Sequence, residues 1–214
     1  MILHTYWRSS SAYRVRIALG LKGLAYEPRF VHLVRDGGEN HRPEFRSKNP
    51  RGQIPVLELE IDGKTVFLAQ SLAIIEFLEE RFPKPALLPR DPILRARARE
   101  LAEIINSGIQ PFHNTGTTVF LNEHAPELER LSLGQHFIGI GLSALESRAR
   151  ELAGRFLIGD EPTVADVMLV PQLYAARRFE AKLDGYPTLL RVETECAKLE
   201  GFAAAHPDRQ PDRE

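Results

Sequence analysis

The stretch Tyr6 to Gly23, Y-W-R-S-S-S-A-Y-R-V-R-I-A-L-G-L-K-G, does most to limit what this chain can fold into. A short strand, Ile2 to Tyr6, runs directly into Ser9, Ser10 and Ser11. Short hydroxyl side chains accept hydrogen bonds from the free N–H groups of a first helical turn, so these serines predict a helix start. Val15, Ala18 and Leu19, with Ile17, Leu21 and Leu24, recur at helical spacing and give the helix a broad apolar surface. Gly23 falls where a left-handed residue would end it. The turn therefore sets hydroxyls, a positive dipole end and Arg8 side by side, which suits a thiolate or a carboxylate. On periodicity alone, an ordinary N-cap with spare serines explains the same residues.

The rest of the first 82 residues reads as strand, hairpin and helix. A second strand is expected over Tyr26 to Leu33, then a turn cluster at 35–40 and a short helix around Pro43 to Ser47. Pro55 stands just ahead of a strand, Val56 to Glu60, where proline can begin a ladder but not sit inside one. Asp62-Gly63 separates that strand from Thr65 to Leu68 as a hairpin turn. Ser71 is placed as the N-cap of a helix over Leu72 to Arg81. These elements make an α/β domain with a mixed sheet over residues 1–82, and prolines 83, 85 and 89 stiffen 83–91 into a linker.

Residues 92–214 carry no credible strand and are expected to be all-helical. Pro92 opens a long helix, Pro111 breaks the run, and Pro126 is expected to start a stretch reaching about Leu152. Thr163 and Asp166 form a capping pair ahead of a helix ending near Phe179, which is folding chemistry rather than catalysis. A last helical region runs from Thr188 to Ala205, and His206 to Glu214 is expected to be an extended or disordered tail.

Composition narrows the function classes. A net charge of −1 and a pI near 6.7 argue against a general nucleic-acid surface. No run of 18 apolar residues suggests a membrane span, and no secretory signal is expected. Cys196, the single cysteine, can form no internal disulfide and joins no metal-ligand pattern, so no metal site is expected and the cytoplasm is the expected compartment.

Ser9 to Gly23 resembles the signature of the zeta-class glutathione transferases, S-S-C-x-x-R-V-R-I-A-L-x-L-K-G, with Ser11 in place of the cysteine. Further motifs follow in the family's order: the N-P…I-P segment from Asn49 to Pro55, Gln70-Ser71, G-I-Q-P-x-x-N from Gly108, and T-V-A-D from Thr163 followed by V-P-Q and R-R-F. The resemblance implies the glutathione transferase fold, a thioredoxin-like α/β domain followed by an all-α domain. It implies a homodimer, with the thioredoxin-like half of one chain against the helical half of the other. Glutathione is the implied cofactor, and the implied reaction is cis–trans isomerisation of maleylacetoacetate to fumarylacetoacetate.

Carried over residue by residue, the resemblance makes Ser9 the group that donates to the thiolate, flanked by Ser10 and Ser11, with Tyr6 as rival. Ser9, Ser10, Ser11, Asn40, the backbone of Ile54 before a cis proline, Gln70, Ser71, Gln110 and Asn114 match glutathione contacts. Arg8 and Arg178 are expected to grip a small dicarboxylic substrate in a pocket at the domain junction, beside Phe112 and Leu173. Arg177 is read as a surface charge and His113 as a spectator. Arg14 and Arg16 are as readily ion-paired within the fold as functional. A transferase or dehalogenase acting on α-halo acids, a maleylpyruvate isomerase and a non-catalytic glutathione-binding module stand as alternatives. Thr115 to Thr118, lacking the arginines expected after the Q-P-x-x-N segment, disfavours maleylpyruvate.

Overall fold

In the computed structural model, which describes residues 1–125, 127–128 and 130–214, the sheet has four short strands in the order β2-β1-β3-β4. They are β1 (Ile2–Thr5), β2 (Glu27–Phe30), β3 (Val56–Ile61) and β4 (Lys64–Ala69). β1 and β2 are parallel and are joined through α1 (Ser10–Leu21), whereas β3 is antiparallel to β1 and to β4. The β3–β4 turn has positive φ at both Asp62 and Gly63, the geometry that matches the twist of a two-residue hairpin. β2 is shorter than the expected Tyr26 to Leu33. It is an exposed edge strand, and Pro28 within it can give the ladder no donor.

Strand register decides where the site can form. Thr5 pairs with Phe30, His4 with Val56, and Val56 with Ala69. The C-terminal ends of β1, β2 and β4 therefore meet the N-terminal end of β3 at one end of the sheet. The short helix expected around Pro43 to Ser47 is α2 (Pro43–Arg46), and α1 and α3 (Ser71–Arg81) both begin at this end of the sheet.

α1 is buried from Ala12 through Leu19 because it is packed from more than one side, by α3 and by α9 (Glu200–Ala205). A Cβ added at Gly20 would sit 2.9 Å from the Cα of Gly201, so the α1–α9 approach requires glycine on both helices. The consequence is a domain division that differs from the expected 1–82 and 92–214. Met1–Ala86 and Leu199–Glu214 form one compact unit, and Leu87–Lys198 forms the other. The boundary near 86 has a local cause as well. Buried Lys22 donates from Nζ to Glu79 and to the carbonyls of Phe82 and Pro85, tying the start of the expected linker to the first unit.

The regular elements described in the second unit are helices: α4 (Pro92–Asn106), a 3-10 turn over Gln110–His113, α5 (Thr115–His124), α6 (Arg130–Leu152), α7 (Val164–Arg178) and α8 (Pro187–Cys196), with one isolated bridge between Ala153 and Gly159 in the loop ahead of α7. The expected helix start at Pro126 lies outside the described residues. The expected last helix, Thr188 to Ala205, is two helices, α8 and α9, one in each unit. Cys196 is fully buried, and burial above all pushes its thiol far above the ordinary range, so it is an inert core residue.

The tail corrects another expectation. Residues 206–214 are neither extended throughout nor detached. Pro207–Arg209 form a 3-10 turn, Gln210 donates from Nε2 to the carbonyls of Ala204 and His206, and Asp212 accepts the Trp7 N–H at 2.9 Å.

Candidate active site

Ser9 is the N-cap of α1, and its Oγ accepts the Ala12 N–H at 3.2 Å. A hydroxyl that accepts in this way still has its own proton to donate. Ser10 and Ser11 are the first two helical residues, so their N–H groups have no intrahelical acceptor. All three serines are half-buried. Tyr6 stands differently. It is 4% exposed and its ring is part of a core cluster with Ala12, Val31, Phe45, Ile54 and Val56, which commits it to packing.

Ile54 belongs to that cluster and precedes a cis peptide bond to Pro55. Neither its N–H nor its C=O bonds to any described residue. Such a free backbone edge, at the mouth of β3, has the donor and acceptor spacing that an extended peptide requires. Gln70 takes the next position along the sheet end, with a positive φ of 72°. It is the N-cap of α3 and makes no side-chain cap, so the first N–H groups of that helix are free for a carboxylate. Ser71, expected as the N-cap, is instead the first helical residue and is buried; its Oγ accepts from Arg14 Nη1 at 3.2 Å. Two helix N-termini and one open backbone edge thus converge on a single end of the sheet. That donor set fits a small peptide with a thiol at one end and a carboxylate at the other.

Buried amides and guanidinium groups hold these parts. Asn40 Nδ2 donates to the Gly52 carbonyl at 2.8 Å, and Asn49 Nδ2 to the Gln53 carbonyl at 2.6 Å. The loop leading into Ile54 is therefore pinned at two successive carbonyls, and Asn40, 7% exposed, is engaged with the chain itself. Arg14 and Arg16, 1% and 2% exposed, are interior ties: Arg14 reaches Ser71, and Arg16 reaches Thr5 Oγ1 and the carbonyls of Tyr6, Trp7 and Ala205. Arg8 is half-buried, its guanidinium carbon 5.5 Å from the Trp7 ring centroid.

Gln110, Asn114 and Arg178 belong to the second unit. Gln110 opens the 3-10 turn and is half-buried. Asn114 is the N-cap of α5, its Oδ1 accepting from Thr117 N at 2.9 Å. Arg178 is the exposed last residue of α7. Its neighbour Arg177 is not simply solvated but grips Glu193 through Nη1 and Nη2, one to each carboxylate oxygen. His113 is buried against Gln172, with Nε2 3.2 Å from Oε1. Phe112 stacks on Phe137 at 3.6 Å, and Leu173 is wholly buried in the core of this unit rather than exposed as a wall.

Sequence reasoning missed Asp212, the tail docking and the buried work of Lys22, and of the two roles it left open for Arg14 and Arg16 the structure takes the internal one. For these three charges a signal existed: Arg14 and Arg16 lie among the apolar residues of α1 and Lys22 directly follows its last turn, where a buried charge survives only with partners. Nothing local marks Asp212. Among the described residues, no group of three or more His, Cys, Asp or Glu side chains is arranged to hold a metal ion, and no helix is long and apolar enough to cross a membrane.

Comparison with known proteins gives the class first. Residues 8–81 match the family model of the glutathione S-transferase N-terminal domain, and residues 141–193 that of the C-terminal domain. The maleylacetoacetate isomerase of Pseudomonas aeruginosa is 47% identical over 99% of this chain and 98% of its own length. The crystal structure of maleylacetoacetate isomerase from Anaeromyxobacter dehalogenans 2CP-1, with GSH bound in the active site, has a TM-score of 0.91 at 54% identity, covering 100% of this chain and 97% of that one. A maleyl pyruvate isomerase described as a bacterial zeta-class glutathione S-transferase reaches a TM-score of 0.93 at 38% identity, with both chains fully covered. The chain belongs to the maleylacetoacetate isomerase family of glutathione transferases.

Proposed function

We propose that this protein is an enzyme that isomerises maleylacetoacetate to fumarylacetoacetate with glutathione as its cofactor. The observation that carries the reading is the convergence of the Ser9 helix start, the free Ile54 backbone edge and the uncapped start of α3 at one end of the sheet. Bound glutathione supplies a thiolate that adds to the cis double bond, permits rotation about the resulting single bond, and leaves again to restore the double bond in trans. The Ser9 hydroxyl donates to that sulfur, and the N–H groups of Ser10 and Ser11 favour its ionised form. The Ile54 N–H and C=O hold the peptide part in an extended conformation. Gln70, Ser71 and the free N–H groups of α3 take the γ-glutamyl carboxylate. We assign Gln110 and Asn114 to further glutathione contacts, Asn40 to the support of the Ile54 loop, and Arg8 and Arg178 to the substrate's two carboxylates.

The test is an absorbance assay of cis–trans conversion with and without glutathione. Conversion that is independent of glutathione overturns the reading. Arg8→Ala and Arg178→Ala should each lower kcat/KM on the dicarboxylate about tenfold to hundredfold, with less effect on a monoacid analogue. Equal losses on both would make the arginines structural. The fold similarity to a maleyl pyruvate isomerase keeps that substrate as the second reading, and a substrate panel that includes α-halo acids separates the activities. We also propose a cytoplasmic homodimer. The exposed Val119 and Phe120 on α5, a helix with no buried residue, support a partner surface; a monomer by light scattering at micromolar concentration would exclude it.

A further inference from the structure

One peptide plane connects the C-terminal tail to Ser9. The N–H of the Tyr6–Trp7 peptide donates to Asp212 Oδ2 at 2.9 Å. The carbonyl of the same peptide, on Tyr6, accepts the Ser9 N–H at 3.1 Å and Arg16 Nη1 at 3.3 Å. Because a peptide unit is rigid and planar, the direction of its N–H fixes the direction of its C=O. Asp212 therefore sets the orientation of the acceptor that holds Ser9. Arg16 closes the arrangement from inside, donating to the Trp7 carbonyl at 3.0 Å and to the Ala205 carbonyl, just ahead of the tail.

The tail is anchored by polar contacts on both sides of Asp212. Arg213 Nε lies 3.2 Å from Asp208, and Glu214 Oε1 lies 2.7 Å from Arg35 and 3.0 Å from His32, whose ring packs against Tyr6. Pro211, Arg213 and Glu214 are exposed, so the segment buries little apolar surface of its own. A segment that adds little to the core but bonds to the backbone ahead of Ser9 affects local geometry more than global stability. Asp212 Oδ1 and Trp7 Nε1, both buried, find no partner among the described residues.

We propose that the C-terminal tail is a working part of the thiol site and that Asp212 is a positioning residue acting on Ser9 through the Tyr6–Trp7 peptide. This rests on the reading of Ser9 given above. Trp7 is the only tryptophan, so intrinsic fluorescence reports this loop alone. Asp212→Ala and a chain ending at Gln210 should make Trp7 more accessible to acrylamide and lower kcat about tenfold, with thermal unfolding and glutathione KM close to wild type. Asp212→Asn, whose amide oxygen still accepts the Trp7 N–H, should keep most of kcat. The proposal fails if Asp212→Ala exposes Trp7 without slowing turnover, if the Asn variant is as slow as the Ala variant, or if kcat falls only in step with unfolding. Ser9→Ala assayed alongside separates the two claims: full activity there removes the serine's role, whereas wild-type behaviour of Asp212→Ala removes only the tail's.

Discussion

Two helix starts in this protein are built from similar residues and used in opposite ways. α7 begins with a closed capping box. Thr163 Oγ1 accepts the Ala165 N–H, and Asp166, fully buried, accepts from the N–H and hydroxyl of Thr163 and also from the Leu157 N–H. α1 begins with a single side-chain cap, Ser9 Oγ accepting the Ala12 N–H, and leaves the N–H groups of the half-buried residues Ser10 and Ser11 without an intrahelical acceptor. The difference teaches how to tell a folding device from a site. A start whose donors are satisfied by its own chain stabilises the fold, whereas a start that holds its cap rigid and its donors free is prepared for an anion.

Mutation at the closed start should give the largest effect, and on stability alone. Asp166→Ala strands buried donors on Leu157 and Thr163 and should cost about 3 kcal/mol, seen as a lowered melting temperature with turnover per folded molecule unchanged. If that variant is stable but slow, the contrast between the two starts is wrong. Ser9→Ala should do the reverse. Its cap is worth about 1 kcal/mol of stability, while loss of a donor to a thiolate should lower kcat/KM about tenfold to hundredfold. Titrating the thiolate absorbance of bound glutathione in Ser9→Ala and Tyr6→Phe sharpens this, since only the serine variant should raise the thiol pKa.

Smaller effects refine the picture. Thr163→Ala should cost about 1 kcal/mol and Thr163→Ser less, measured by denaturant unfolding. Burial pushes the Asp166 carboxyl up to about 6, against the pull of the bonds from Leu157 and Thr163. A carboxyl with a raised folded-state pKa binds its proton more readily folded than unfolded. Its contribution is therefore full below about pH 4 and is lost as pH rises through about 6. Between pH 5 and 7 this amounts to about 1 kcal/mol. The difference between wild type and Asp166→Asn should show that slope, and a flat difference would mean that the bonds keep Asp166 ionised throughout.

Sequence alone was enough wherever the deciding forces were local. The serine-capped start of α1, the left-handed Gly23, the Asp62-Gly63 turn and the Thr163–Asp166 box each follow from hydrogen bonds or φ preferences within a few residues, and each stands as read. Ser71 misled because its local chemistry suits a cap, yet a buried guanidinium 57 residues away claimed its oxygen. The apolar surface of α1 announced burial, but not what would cover it. Only the tertiary structure decided that α9 lies there, through glycines at 20 and 201 that no periodicity links. The same long-range packing brought the tail back to Trp7 and set four strand ends and two helix starts at one end of the sheet. Contacts between residues so far apart depend on chain closure and on shape matched over the whole unit, and neither leaves a mark in any short stretch of sequence.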